Sequence, residues 1–270
     1  MLKWFLSLIG LTFLVVFAVI GGVLWVFLTY GQELPDYSQL AQYEPPVATR
    51  IHAGNGALLA EFATQKRVFV PTKAIPPILI DAFLSAEDKS FYSHVGVDPV
   101  ALARAVVTNV AALGTGRRPI GASTITQQVA KNFLLTNELS IDRKIKEAIL
   151  AIRMERAFSK DQILALYLNE IYLGAGSYGV AAAALNYFDK ALDQLELHEV
   201  AYLAALPKAP SNYHPVRKIK AAISRRNWVL KQMAKNGFIT EVEATEARLK
   251  SLDVRRQTGF DSASAPYFTE

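Results

Sequence analysis

Cysteine is absent from all 270 residues, which excludes a disulfide framework and any thiolate metal site while leaving the cellular compartment open. Charge is missing from Trp4 to Leu28, where only Ser7 and Thr12 interrupt an apolar run. As a helix this run reaches roughly 37 Å, against a hydrocarbon core of about 30 Å. A cleaved secretory signal is the competing reading, but its apolar part should be about 7 to 15 residues long and end on small residues. Leu24-Trp25-Val26-Phe27-Leu28 is no such ending, so an uncleaved single-pass transmembrane anchor is expected over residues 1–30. Basic residues are also lacking between Lys3 and Arg50, whereas Glu33 and Asp36 follow the span. The positive-inside rule then puts the N-terminus in the cytoplasm and the rest of the chain outside. Repeats and low-complexity tracts are absent as well, and alternation of period two is almost confined to residues 48–62, so the fold should be mainly α.

What is present is a chain half of whose residues are hydrophobic, enough for one large domain beside the anchor. The net charge of +5 suits a domain held near anionic lipid or an anionic substrate, but an excess of this size decides little by itself. Nothing points to nucleic acid. Residues 31–47 are polar and Pro-containing and read as a linker; 48–250 read as the folded domain. Ala48 to His52 and Ala57 to Phe62 flank Ala53-Gly54-Asn55-Gly56, whose Asn and Gly suit a tight turn, so a small β-hairpin is expected there. A helix should begin near Pro77, with Leu79, Ala82, Phe83 and Ala86 on one apolar stripe that Glu87 extends. Another should start after Ser140, an N-cap candidate, and end before Ser159, which with Gln162 forms a capping box for the next. Further helices are expected at 160–171, 176–187, 195–206, 217–235 and 240–250. Pro99 to Leu113 is nearly all apolar, with Arg104 its only charge, and is too short to span. It reads equally as a buried core helix or as a segment lying in the membrane interface.

Three clusters carry candidate chemistry. In the first, Glu87-Asp88 closes an apolar helical face and is followed by His94-Val95-Gly96. A carboxylate beside packed apolar groups is desolvated, which raises its pKa and makes it a general base near neutrality; a solvated helix-end glutamate is the plain alternative. His94 reads as a packing or hydrogen-bonding residue. The second cluster, Gly121 to Asn132, gathers Ser123, Gln127, Gln128 and Lys131, groups suited to sugar hydroxyls and phosphate oxygens. It reads equally as a capped helix start. In the third, Arg143 and Lys144 stand four and three residues before Glu147 and share its helical face, so a carboxylate is held among cations or an ordinary surface ion-pair stripe is formed.

Together these clusters make the chain resemble the peptidoglycan glycosyltransferase domain of class A penicillin-binding proteins. The resemblance rests on Glu87-Asp88 to His94-x-Gly96, Gly121-x-Ser123 to Gln128 with Lys131-Asn132, Arg143-Lys144 to Glu147, Lys160 to Asn169, and Arg225-Arg226 to Leu230, and it covers most of residues 80–230. It implies a mainly α, lysozyme-like domain that polymerises lipid II into β-1,4-linked glycan with inversion and release of undecaprenyl diphosphate. Glu87 and Glu147 would be the catalytic residues. Asp88, Ser123, Gln127, Gln128, Lys131, Arg143, Lys144, Lys146, Asn169, Arg225 and Arg226 would bind substrate. The implied partners are lipid II, the growing glycan strand, membrane lipid, moenomycin-type inhibitors and other cell-wall synthesis proteins. No closed metal-ligand set appears; a divalent cation, Mg or Mn, would enter through Glu87, Asp88 or Glu147.

The basic clusters also separate transfer from hydrolysis. A glycosidase must protonate an alkoxide leaving group, whereas a diphosphate leaves already charged and needs fixed cations, here Lys131, Arg143, Lys144 and Arg226. Two departures stand out: Leu139 occupies a position where relatives often carry a basic residue, with Arg117-Arg118 as the nearest compensation, and the stretch from Gly114 to Ile120 looks longer than in relatives. The transpeptidase motifs Ser-x-x-Lys, Ser-x-Asn and Lys-Thr-Gly are missing, so penicillin binding is not expected. Residues 251–270 resemble the start of a linker to such a domain, and a truncated bifunctional protein is expected rather than a naturally monofunctional one.

Overall fold

The structure is a computed structural model and describes residues 2–31, 34–37, 40, 49–52, 54, 58–62, 66–116, 121–135 and 140–254. Helix α1 (Leu2–Tyr30) begins the chain, and β1 (Thr49–His52) and β2 (Leu58–Phe62) form the expected antiparallel hairpin, with Thr49 opposite Phe62. Most of its expected turn, most of the linker, Arg117, Arg118 and Leu139 lie outside the described residues, as does nearly all of the 251–270 stretch. Taken over the described residues alone, no helix is long and apolar enough to cross a membrane. The α1 backbone runs for 29 residues, but several of its side chains lie outside the described set, so the anchor rests on the sequence.

The domain follows with β3 (Lys66–Arg67), α2 (Pro77–Glu87), α3 (Pro99–Ala111), α4 (Ile125–Leu134), α5 (Ile141–Ala157) and α6 (Lys160–Glu170). Strands β4 (Tyr172–Gly174) and β5 (Ser177–Tyr178) precede α7 (Val180–Phe188), α8 (Leu197–Ala205), α9 (Ile219–Lys235) and α10 (Glu241–Leu249). The helix starts follow local chemistry: Ser140 accepts from the Arg143 amide, and Ser159 and Gln162 close the expected capping box. The expected helix from 176 is corrected at its front. Residues 172–178 instead supply β4 and β5, which join β3 in a sheet of order β3-β5-β4, with β3 and β5 parallel. These strands are too short to show a period in the sequence, and Gly174, Ala175 and Gly176 at positive φ turn the chain between them.

Helix α8 is the hub. Val200 to Ala205 are all buried, and α8 packs between α2, α9 and α7. Its neighbours bring Leu79 and Phe83 from α2, Leu230 and Met233 from α9, and Ala183 and Ala184 from α7 into one core. The edge-on stack of Phe83 with Tyr167 joins α6 to it. Helix α3 behaves differently: only Ala105 is buried, while Val100, Val106, Val107 and Val110 are exposed. That removes the core-helix reading of residues 99–113.

Candidate active site

Glu87 ends α2, where the apolar face of that helix enters the core, and its side chain is only 12% exposed. Its Oε2 accepts from Gln128 Nε2 at 3.0 Å, and Arg225 stands 3.8 Å from Oε1. Burial pushes the Glu87 carboxyl above the ordinary glutamate range; the Gln128 hydrogen bond, Arg225 and Lys208 oppose this, and the Asp88 charge adds to it. Arg225 lies 3.8 Å over the Trp228 ring, and burial lowers its own pKa against the pull of Glu87. Its Nε is buried without a hydrogen-bond partner among the described residues, leaving a donor beside the carboxylate.

Glu147 sits on α5 with its side chain 2% exposed. Lys144 Nζ is 2.6 Å from one oxygen and Arg143 Nε 3.1 Å from the other. The surface-stripe reading is thereby corrected, because the carboxylate is buried against α4 rather than solvated. Lys144 also donates to Ser123 Oγ at 2.6 Å. Ser123 lines a cavity of about 230 Å³ together with Glu87, Asp88, Lys89, Arg104 and Thr108. One short segment, residues 123–128, therefore reaches Glu87 through Gln128 and Glu147 through Ser123 and Lys144. Lys131 follows Gln128 by three positions on α4 and shares its face.

Several expected ligands make structural contacts within the protein. Asp88 pairs with His94 at 2.9 Å and accepts from the Ile125 amide at 3.0 Å, fastening the end of α2 to the start of α4. Gln127 is spent on the capping box with Thr124, whose hydroxyl also donates to the Gly96 carbonyl. Asn169 is buried and latches onto both backbone groups of Val70. Arg226 is 1% exposed and donates to the carbonyls of Arg248 and Lys250, away from Glu87. Adjacent helical positions lie about 100° apart, so Arg225 and Arg226 cannot both face one carboxylate. Two cations escaped the sequence reading: Lys208, in a loop between two prolines with no period to place it, and Arg104, noted there only as the single charge of its helix.

The carboxylates named for a divalent cation are engaged in different ways, Glu87 by Gln128 and the other two by cationic or imidazole partners. The Asp88 and Glu147 carboxylates face His94, Arg143 and Lys144, and no group of three or more metal-ligating side chains exists among the described residues.

The family model described as Transglycosylase matches residues 55–234. The chain belongs to the transglycosylase family. Among its relatives, penicillin-binding protein 1A of Rickettsia felis is 49% identical over 90% of this chain and 31% of that protein. The Aquifex aeolicus and Escherichia coli proteins of the same name are 46% and 42% identical, over 91% and 93% of this chain and 34% and 29% of theirs. The chain thus spans about a third of the length of the curated relatives it matches. A crystal structure of penicillin-binding protein 1A from Haemophilus influenzae, 28% identical, overlays 84% of this chain and 23% of that one with a TM-score of 0.48, an overlay that adds nothing to the family assignment. The resemblance to the glycosyltransferase domain of class A penicillin-binding proteins holds at the level of the family.

Proposed function

We propose that this chain polymerises lipid II into β-1,4-linked glycan with inversion at the anomeric carbon and release of undecaprenyl diphosphate. The observation that carries the reading is the nearly buried Glu87 carboxylate, with its raised pKa, lining a cavity bordered by cations. In the step, the acceptor sugar's 4-hydroxyl oxygen attacks the anomeric carbon of the donor. Its proton goes to Glu87, and the bond to the diphosphate breaks with its electron pair leaving on the diphosphate oxygen. A base must be unprotonated yet basic enough to accept, which a carboxylate moved up from its ordinary range provides. The diphosphate leaves as an anion and needs no proton; Lys144, Arg143 and Lys131 are the cations suited to receive it, and Glu147 holds the first two in place.

The site residues named from sequence divide accordingly. Glu87 acts on the acceptor, Ser123, Gln128, Lys131, Arg143, Lys144 and Arg225 bind donor and acceptor, and Glu147 organises the cations. Residues 1–30 anchor the protein in the bacterial cytoplasmic membrane with the domain of residues 48–250 outside, and the exposed apolar face of α3 lies on the lipid surface. The lysozyme-related ancestry of the domain belongs to the same reading. The test is conversion of labelled lipid II to long glycan by the purified chain in detergent, with and without a divalent ion. Product that moenomycin suppresses is expected. Absence of product from the wild-type chain, or solubilisation of finished peptidoglycan without any lipid substrate, would overturn the reading.

A further inference from the structure

Residues 200–240 hold eight lysines and arginines and no aspartate or glutamate. Helix α9 lies inside this stretch. Its apolar side, with Ala222, Val229, Leu230 and Met233, is buried in the core. Its outer side carries Lys220, Ser224, Trp228, Lys231 and Lys235, at successive spacings of four, four, three and four, and all five are exposed. Along the helix axis this face runs for roughly 22 Å. Elsewhere the fold sets carboxylates beside its cations: Glu147 by Arg143 and Lys144, Glu155 by Lys160, Glu199 by Lys190. Lys220, Lys231 and Lys235 make no ion pair among the described residues.

Local stability does not account for this arrangement. Lys231 and Lys235 stand one turn apart on the same face, where like charges repel. Lys220 is in the first turn, at the positive end of the helix dipole, and no acid there offsets it. Only Lys235, in the last turn, sits where the dipole favours a cation. The face also adjoins the catalytic site. Arg225 covers one side of the Trp228 ring at 3.8 Å and stands 3.8 Å from Glu87, so the indole joins the row of lysines to the cavity that Glu87 lines.

We infer that the outer face of α9 is a binding surface for the peptide-bearing glycan strand, outside the cavity where the bond is made; the inference rests on the function proposed above. A peptide attached to a sugar through its amino end finishes in a free carboxylate, so such a strand carries regularly repeated negative charge. Unpaired ammonium groups on flexible stems complement that charge without demanding one fixed register. The strand can then be held while it moves. A bilayer of anionic lipid is the other polyanion that a basic face could meet. A helix lying in a membrane interface, however, turns an apolar face into the lipid. Helix α9 has its apolar side packed on α8 and α2, whereas the exposed valines of α3 are the side chains suited to lipid.

This surface can be changed without touching the reacting groups. The wild-type chain and a triple variant, Lys220→Gln with Lys231→Gln and Lys235→Gln, are to be compared in non-ionic detergent by the fluorescence anisotropy of labelled glycan strands. Peptide-bearing strands should bind the wild type about tenfold more tightly than the variant, the effect of losing three exposed ion pairs. The gap should close as salt is raised, and it should vanish on strands whose peptides have been removed by an amidase. On lipid II the two proteins should start at the same rate, and the variant should make shorter strands. Equal affinity for peptide-bearing strands, a gap that persists on stripped strands, or unchanged product length would overturn the inference. If vesicles containing anionic phospholipid distinguish the two proteins and the strands do not, the face serves lipid and the inference fails. The binding comparison needs no turnover. A wild type that binds strands as described but makes no polymer would remove the proposed function, whereas an active polymerase with equal strand binding would remove only this surface.

Discussion

Glu87 and Glu147 are the same residue type, both withdrawn from water, one at the end of α2 and the other within α5, yet they are held in opposite ways. Around Glu87 the donor is the Gln128 amide, and the Arg225 guanidinium stands 3.8 Å off while stacked on Trp228. Around Glu147 two cations stand at 2.6 and 3.1 Å. The first environment withholds compensation and leaves a carboxylate ready to take a proton. The second supplies it and makes the carboxylate a scaffold for positive charge. The difference arises from register: Glu147 has basic residues one helical turn behind it on its own helix, while Glu87 closes a turn built of Phe83, Leu84 and Ser85 and must borrow charge from α9.

The largest effect expected is on turnover. Glu87→Gln should lower kcat by about 10²–10⁴-fold, the usual contribution of a positioned general base, while circular dichroism stays that of the wild type. Retained activity would erase the contrast between the two carboxylates. A linked outcome concerns pH. The Glu87 carboxyl is shifted up from the ordinary glutamate range by burial, so folding favours its protonated form. Its stabilising contribution is full below the ordinary glutamate range and is lost as pH rises through the folded pKa. Denaturation of the wild type and Glu87→Gln from pH 4 to 8 should therefore show the wild type losing ground to the variant as pH rises, and the acid limb of activity should lie above the ordinary glutamate range.

Next in size is a backbone effect. Gly96 adopts φ +97°, and a Cβ there would lie 2.6 Å from the carbonyl carbon and oxygen of Ala151 in α5. The loop after Glu87 thus rests on the helix that carries Glu147, and only glycine permits the approach. Gly96→Ala should cost about 2–4 kcal/mol in chemical denaturation and disturb both carboxylates together. Loss of activity with unchanged stability would contradict this account.

Glu147→Gln should act in the opposite sense to the dry site. It leaves Arg143 and Lys144 without their anion, and because Lys144 is half exposed and can regain water, the loss should be held to about 1–3 kcal/mol. The KM for the lipid-linked donor should rise more than kcat falls. A variant as stable as the wild type would mean that the ion pairs contribute nothing net.

Much of this contrast was legible in the sequence because it is helical and local. The stripe ending at Glu87, the triad of Arg143, Lys144 and Glu147, and the caps at Ser140 and Ser159 all depend on spacings within one element. What could not be read depends on where elements meet. Lys208 reaches Glu87 from a turn, Asp88 is consumed by His94 and the Ile125 amide, and Asn169 by the backbone at Val70. Arg226 points to the Arg248 and Lys250 carbonyls, while its neighbour Arg225 occupies the face toward Glu87. The short sheet of β3, β4 and β5 joins residues more than a hundred positions apart and leaves no period to detect.

The smallest effect tests whether the second site depends on its helix end. Ser140 accepts from the Arg143 amide at 3.0 Å at an exposed start of α5, and Arg143 is itself a partner of Glu147. Ser140→Ala removes one acceptor from the first turn and should cost about 1 kcal/mol, a fall of about 2–4 °C in Tm for a domain of this size. Ser140→Asp should restore it, because aspartate caps as well and its charge suits the positive end of the helix dipole. Activity should follow stability only weakly, since Arg143 remains fixed by three further turns of helix and by the carboxylate it faces. If Ser140→Ala instead raised the donor KM as far as Glu147→Gln does, the cations would owe their position to the helix start more than to Glu147, and the scaffold role argued for that carboxylate would pass to the cap.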